Sequence, residues 1–184
     1  THKHCLDKAW GKPGAFFITA FFTPAGYVSR NEKGSQKMTK NQTCRLCCEE
    51  KQLRQSHIIP KFVFDWLKKS SGTGFIRSSE MPNRRVQDGE KEHLLCNDCE
   101  ALFNQWETTF ARKIFHPFIK REAMRFEYES WLLKFAVSIS WRVLTWYKPG
   151  DLPEISEAEK CLFAKALQTW KDFLFDRRPD PGSF

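Results

Sequence analysis

The sequence lacks a long uninterrupted apolar run. Its longest apolar stretch, Trp131 to Tyr147, is broken by Lys134 and Arg142. A membrane-spanning helix needs about 20 consecutive apolar residues. We therefore predict that this stretch is a buried helix and that the protein has no membrane partner.

A strong excess of positive charge is also missing from most of the chain. The formal net charge is +8, but residues 1–37 carry six Lys and Arg against two Asp and Glu. The other 147 residues therefore hold 24 basic against 20 acidic side chains. This balance is compatible with a nucleic-acid partner but does not require one.

A convincing secretion signal is absent too. Ala15 to Phe22 is apolar, but the Thr23-Pro24-Ala25 stretch that follows is a poor cleavage site. The chain has seven cysteines, and an odd number argues against a secreted disulfide scaffold. We predict a cytoplasmic protein whose reduced thiols serve a metal.

The chain divides into three regions of different character. Residues 1–37 are predicted to be an N-terminal extension, disordered or non-native, because Met38 follows a polar stretch and is a plausible natural start. Residues 38–120 are predicted to form a zinc-binding module. Residues 121–184 are predicted to be helical, and a truncated C-terminal end is one interpretation of how this region finishes.

Apolar periodicity predicts most of the helices. It predicts one over Lys61–Lys69, one that follows Cys99 and stops at Pro117, and one over Trp131–Tyr147. A capping box at Ser156 and Glu159 predicts a further helix. Cys161 lies near the apolar face of that helix, so we expect a core thiol there.

Two short strands are predicted from the remaining pattern, at Gln52–Ile59 and His93–Leu95. The stretch from Phe75 to Gly89 is predicted to be a basic loop. The fold class is therefore α+β, a small zinc-stapled ββα-like module with an inserted helix, followed by a mainly helical C-terminal part.

Two CxxC pairs carry the clearest chemical signal, Cys44 with Cys47 and Cys96 with Cys99. Two thiolates at this spacing can turn onto one ion, and two such pairs complete a tetrahedron. The pattern predicts a structural zinc site, which would contribute of order 10 kcal/mol to folding.

Two alternatives stay open for these cysteines. Cys48 could replace Cys47 as the partner of Cys44, although we interpret Cys48 as a bystander. A redox CxxC is the other possibility, but it is expected as a single pair in a βαβ context.

The segment between the two pairs contains Ser56-His57-Ile58-Ile59-Pro60, and the second pair lies in Leu94-Leu95-Cys96-Asn97-Asp98-Cys99. In this combination, the stretch from Cys44 to about Phe110 resembles the HNH, or ββα-metal, nuclease family. The resemblance implies that His57 is a general base that activates water against a phosphodiester. It also implies a catalytic divalent cation such as Mg²⁺, separate from the structural zinc.

The family usually has Asp, Glu or His before this histidine as a ligand of the catalytic cation, and this chain has Ser56. The family often has an Asn a few residues before the second pair, and this chain has Lys91, Glu92 and His93 there. The missing ligand would be replaced by a residue further along the chain. The candidates are Glu100, Glu107 and His93.

Two basic groups are candidate phosphate contacts, because phosphate binding needs cations clustered on one face. The first lies within residues 54–91, which hold eight Lys and Arg, and the second within residues 112–125, which hold five. The candidates are Arg77, Arg84, Arg85, Lys120, Arg121 and Arg125.

The sequence thus supports two functions of different classes. The first is an HNH-type endonuclease that hydrolyses DNA with His57 as base. The alternative is a non-catalytic zinc-binding module for nucleic acid or protein, which Ser56 favours. The two differ in what removal of His57 would do, since only a nuclease has cleavage to lose.

Overall fold

A computed structural model describes residues 41–77, 83–147 and 156–183. The fold class is α+β, as predicted. The predicted N-terminal extension, residues 1–37, lies outside the described residues. The strands are β1 (Gln42–Thr43), β2 (Glu50–Lys51), β3 (Leu53–His57), β4 (Ile76–Arg77), β5 (Arg85–Val86) and β6 (Lys91–Cys96). The helices are α1 (Lys61–Ser70), α2 (Asn97–Phe110), α3 (His116–Ile119), α4 (Ser130–Trp146) and α5 (Glu157–Leu174), with a π-helical segment over Ala111–Phe115 between α2 and α3.

Strands β1 and β2 form an antiparallel hairpin around the first CxxC pair. The turn is closed by a hydrogen bond from the Cys44 amide to the Glu49 carbonyl, with an N–O distance of 2.9 Å. Cys48 lies in this turn with a φ of 64°. The Arg45 amide donates to the carbonyl of Leu94 at 2.9 Å, which ties the hairpin to β6.

Strands β3 and β6 form the antiparallel pair that carries the predicted histidine. Leu53 lies opposite Cys96 and His57 opposite Lys91, with a register shift between Arg54 and Gln55. The structure confirms both predicted strands, and each predicted strand end lies within two residues of the observed one. Between them the chain inserts α1 and the β4–β5 hairpin, so β3 and β6 meet although far apart in sequence.

The stretch Phe75–Gly89 was predicted to be a loop, and this prediction is wrong in part. Ile76 pairs with Val86 and Arg77 with Arg85 in a short antiparallel hairpin. The strands have only two residues each, which is too short for an alternating apolar pattern to appear in the sequence.

Helix α2 begins directly at the second CxxC pair, with Cys96 as its N-cap residue. It was predicted to stop at Pro117, and the structure differs. The helical path continues through the π-helical segment into α3, where Pro117 occupies one of the first positions. The fixed φ of proline, about −65°, is compatible with helical backbone, so the path continues although Pro117 donates no backbone hydrogen bond to the preceding turn.

Helix α4 packs against both α2 and α5 and joins the helical region to the zinc module. Its two charges are buried, with Lys134 8% and Arg142 1% exposed. Lys134 donates to Asp176 Oδ1 at 2.7 Å and to the Phe173 carbonyl, so it is paired rather than solvated. No helix in the described ranges is both long and apolar enough to cross a membrane.

The hydrophobic core is shared by the module and the helices. Phe103 of α2 packs edge-on against Trp141 of α4, with ring centroids 6.1 Å apart. The predicted boundary at residue 120 stays a prediction, but the buried cluster extends across it. The cluster includes Leu46, Leu95, Phe103, Trp141, Phe173 and Leu174.

Gly89 makes a close approach that only glycine allows. A Cβ at this position would lie 2.0 Å from Cε2 of Phe64, a ring of α1 that is 5% exposed. We expect Gly89→Ala to destabilise the protein by about 1–3 kcal/mol, because the buried ring would have to move. Urea unfolding measures the loss. In a double-mutant cycle, Phe64→Leu should recover part of it, and simple additivity would contradict the proposed clash.

Candidate metal centre and the cleft beside His57

The four predicted cysteines come together at one point. Cys44 and Cys47 reach it from the β1–β2 turn, Cys96 from the end of β6 and Cys99 from the first turn of α2. Their four sulfur atoms all lie within 4.8 Å of one another. All but Cys47 are buried. The local sequence explains this, because each CxxC pair lies where a strand gives way to a turn or a helix.

The spacing of the sulfur atoms suits a tetrahedral metal. Four thiolates about 2.3 Å from a zinc ion would be about 3.8 Å apart. Cys47 Sγ and Cys96 Sγ are 3.9 Å apart, and the six cysteines of the described ranges are free of disulfides. Soft thiolate donors in a tetrahedral four-sulfur set suit zinc or iron. These residues can therefore hold a metal such as zinc.

The thiols influence one another strongly. A hydrogen bond from the Cys99 thiol lowers the pKa of Cys44 to about 4. The same contact with Cys44 raises the pKa of Cys99 far above its ordinary value. Burial raises the pKa of Cys47. The Cys44 thiolate is thus favoured, whereas the raised pKa values of Cys47 and Cys99 keep these thiols protonated without a cation, so metal binding should release protons and weaken as pH falls.

Two further cysteines lie outside the cluster. Cys48 is exposed, and its sulfur is 2.9 Å from Nζ of Lys171. It is a bystander to the cluster, as predicted. Cys161 is also exposed, so the prediction of a core thiol is wrong. Helix α5 buries Ala166, Thr169, Phe173 and Leu174 instead, and its first turns lie beyond the packed part of the helix.

His57 lines a cleft of about 330 Å³ beside the metal centre. Strand β3 places it there, and the turn at Pro60 directs the chain away into α1. Helix α2 forms the facing wall with side chains three and four positions apart, which is one helical face. The polar residues of this face are Asn97, Glu100, Asn104 and Glu107. Arg142 of α4 adds a cation to the lining of the cleft.

The ring of His57 is oriented by a carboxylate. Its Nε2 lies 3.0 Å from Asp88 Oδ1, and Asp88 also receives the Lys91 ammonium and the Gly89 amide. Burial by itself raises the pKa of Asp88, but the hydrogen bonds from Lys91 and His57 outweigh burial and bring it to about 2. An ionised carboxylate only accepts hydrogen bonds, so Nε2 must carry the hydrogen. The neutral ring then has its lone pair on Nδ1.

Glu100 and Glu107, both predicted as cation ligands, line this cleft. Glu107 accepts a hydrogen bond from Nη2 of Arg142, whose Nη1 donates to the His57 carbonyl at 2.9 Å. Oε1 of Glu100 is buried without a hydrogen-bond partner among the described residues. A buried carboxylate oxygen without a hydrogen-bond partner in the protein is stabilised by binding a cation or a water molecule. The third candidate, His93, is exposed on β6 and does not line the cleft.

The predicted basic residues lie away from the cleft. Arg77 and Arg85 both place their guanidinium groups over the ring of Phe75, at 5.4 and 4.6 Å from its centroid. Arg84 is exposed beside them. Lys120, Arg121 and Arg125 are exposed near the end of α3. The structure thus groups the first set on one hairpin, and their role in nucleic-acid binding stays a prediction.

Four residues of the site were not predicted from sequence, namely Asp88, Arg142, and Asn97 and Asn104 as lining residues. Asp88 lies 31 residues from His57, and Arg142 lies 85 residues from it. A buried charge in an apolar helix was the one available signal for Arg142, because such a charge is retained only with a partner. No comparable signal exists for Asp88.

We expect Asp88→Asn to cost about 1–2 kcal/mol of unfolding free energy at pH 7. Because the pKa of Asp88 is lower in the folded than in the unfolded protein, its stabilisation is complete above about pH 4 and is lost toward about pH 2. Urea unfolding of both proteins should show a difference between them at pH 5 that narrows only below pH 4.

Asp65→Asn is the matched control, since Asp65 forms a more exposed ion pair with Lys61 on α1. Such pairs contribute about 0.5 kcal/mol or less. An equal cost for the two substitutions would contradict the orienting role of Asp88.

No protein-family model, curated protein or solved structure matches this chain.

Proposed function

We propose that the protein is a metal-dependent endonuclease of the HNH type that hydrolyses DNA phosphodiester bonds. The observation that carries the proposal is the cleft, which is lined both by His57, with its proton position set by Asp88, and by Glu100, whose Oε1 is buried without a hydrogen-bond partner among the described residues. A base and a cation-binding group in one cleft are what phosphodiester hydrolysis requires. The strand pair β3–β6 followed by α2 also agrees with the ββα order that the resemblance implies.

In this proposal His57 removes a proton from water through Nδ1. The water oxygen then bonds to phosphorus, and the bond from phosphorus to the leaving oxygen breaks. Asp88 stabilises the imidazolium that forms, because its negative charge lies 3.0 Å from Nε2. A divalent cation such as Mg²⁺, held by Glu100 with help from Asn104, would neutralise the phosphate when bound.

Arg142 and the metal centre hold this arrangement in place. Arg142 is 1% exposed and joins the end of β3 to Glu107 of α2. Zinc bound by the four cysteines would fix the start of α2, one residue before Asn97. The proposed roles are therefore structural for zinc and catalytic for the second cation.

The second candidate function is a non-catalytic zinc module that binds nucleic acid or protein. It is favoured by Ser56, which is 1% exposed and whose Oγ has no hydrogen-bond partner among the described residues. Such a side chain cannot act as the cation ligand that the nuclease family places before its histidine. In a nuclease, the catalytic cation would then have to be held by residues of α2 alone.

A nicking assay separates the two. Zinc-loaded protein would be incubated with supercoiled plasmid and with single-stranded DNA, with Mg²⁺, with Mn²⁺ and without added cation. Cation-dependent cleavage supports the nuclease. Full zinc occupancy without cleavage under any of these conditions would overturn it in favour of the binding module.

A further inference from the structure

A second groove continues from the cleft along the outer face of α2. It has a volume of about 280 Å³ and shares Lys61, Asn104 and Glu107 with the cleft beside His57. Beyond these it reaches Phe62 on α1 and His116 at the start of α3. We name it the aromatic groove. The two cavities therefore adjoin each other along α2, and a ligand long enough to span both would contact His57 and Phe62.

One wall of the aromatic groove is an aromatic surface that is already fixed. The Phe62 ring packs against Phe115 with centroids 4.8 Å apart and against Phe110 at 6.1 Å. The centroid of the His116 ring is 6.5 Å from that of Phe62, with an angle of 65° between the ring planes. Because the protein itself holds Phe62 in place, a flat ligand would lose little to ordering of that side chain.

The rim of the aromatic groove carries positive charge. Lys61 and Arg112 are both exposed and line it. Lys61 is bonded to Asp65 at 2.7 Å. No ion pair engages Arg112 within the described ranges, so its guanidinium is available to an anion. An aromatic wall in a groove that two cations also line is the combination that single-stranded nucleic acid requires, because its bases stack on aromatic rings and its phosphates bind cations.

We propose that the aromatic groove holds the base of an unpaired nucleotide next to the scissile phosphate, so that the substrate is single-stranded DNA or DNA with unpaired bases. This inference rests on the proposed nuclease function. In a duplex the base faces are stacked inside and cannot reach Phe62. In a single strand each base exposes a face, and its flanking phosphates meet Lys61 and Arg112.

Binding of a fluorescent single-stranded oligonucleotide by zinc-loaded protein, without added Mg²⁺, tests the aromatic wall. Phe62→Leu should weaken binding about tenfold, as expected for loss of one stacked base, and Phe62→Tyr should bind like the wild type. The matched control is Trp66→Leu, since Trp66 also packs on Phe115, at 5.9 Å, but does not line the groove. Equal losses in Phe62→Leu and Trp66→Leu would overturn the inference.

The charged rim has its own pair of variants. Arg112→Gln should weaken binding and reduce the slope of log affinity against log salt by about one. Lys113 is the neighbouring exposed cation and does not line the groove. Lys113→Gln should therefore reduce the salt slope by less than Arg112→Gln does. Duplex DNA bound as tightly as single strands, and insensitive to Phe62→Leu, would also overturn the inference.

The two proposals can fail separately. Dependence of single-strand binding on Phe62, without cleavage under any cation, would support the aromatic groove and overturn the nuclease. Cleavage that needs His57, combined with binding that ignores Phe62, would support the nuclease and overturn the aromatic groove.

Discussion

Replacing Cys44 by serine is expected to abolish stoichiometric zinc binding and to unfold the module that carries His57. Cys44 is fully buried, and its sulfur accepts a hydrogen bond from the Cys96 amide at 3.3 Å. Structural zinc contributes of order 10 kcal/mol to small modules. A domain of this size is stabilised by about 5–15 kcal/mol in total, so losing even half of that contribution leaves little folded protein.

The measurement combines zinc content by atomic emission with thermal unfolding by circular dichroism. Cys48→Ser is the matched control, because Cys48 lies in the same turn but outside the four-sulfur cluster. It should keep one zinc ion per chain and a melting temperature close to that of the wild type. A Cys44→Ser protein with unchanged zinc and stability would contradict a structural role for the cluster.

The second large effect is expected at His57. The His57→Ala protein should cleave DNA about 100- to 10,000-fold more slowly, because general-base catalysis by one side chain contributes a factor of this size. It should keep its zinc, since His57 lies outside the cysteine cluster. It should also keep most of its affinity for DNA, because the proposed binding groups are the cations and the aromatic groove.

His93→Ala is the control for this experiment. His93 is exposed on β6 and does not line the cleft, so its removal should leave cleavage within about twofold of the wild type. Rates would be measured by plasmid nicking with Mn²⁺ or Mg²⁺ across pH 6 to 9. If His57→Ala and the wild type nick equally, the activity comes from another group or another protein, and His57 is not the base.

The two predictions are linked through α2. Cys96 and Cys99 bracket the first residues of the helix, and Asn97 and Glu100, their immediate neighbours in sequence, line the cleft. A zinc ion bound by these cysteines would therefore fix the first turn of the wall that faces His57. Loss of zinc should reduce cleavage as well as stability, whereas loss of His57 should reduce cleavage alone.

The sequence by itself determined the features that depend on near neighbours. The CxxC spacing predicted the four clustered cysteines, and apolar periodicity predicted α1, α2 and α4 to within a few residues. The exception is the helical path after α2, which continues past the expected stop at Pro117 through the π-helical segment and α3. The capping box at Ser156 and Glu159 forms as expected. These predictions succeed because the turns at CxxC pairs, helical faces and helix caps are set by side chains a few positions apart.

Only the tertiary structure decided how the site is completed. Asp88 reaches His57 across an inserted helix and hairpin, and Arg142 reaches it from another region of the chain. The exposure of Cys161 was likewise decided by which turns of α5 are buried, since its buried residues begin at Ala166. The physical reason is that these contacts join residues far apart in sequence, and they form only once the shared core has fixed the relative positions of β3, α2 and α4.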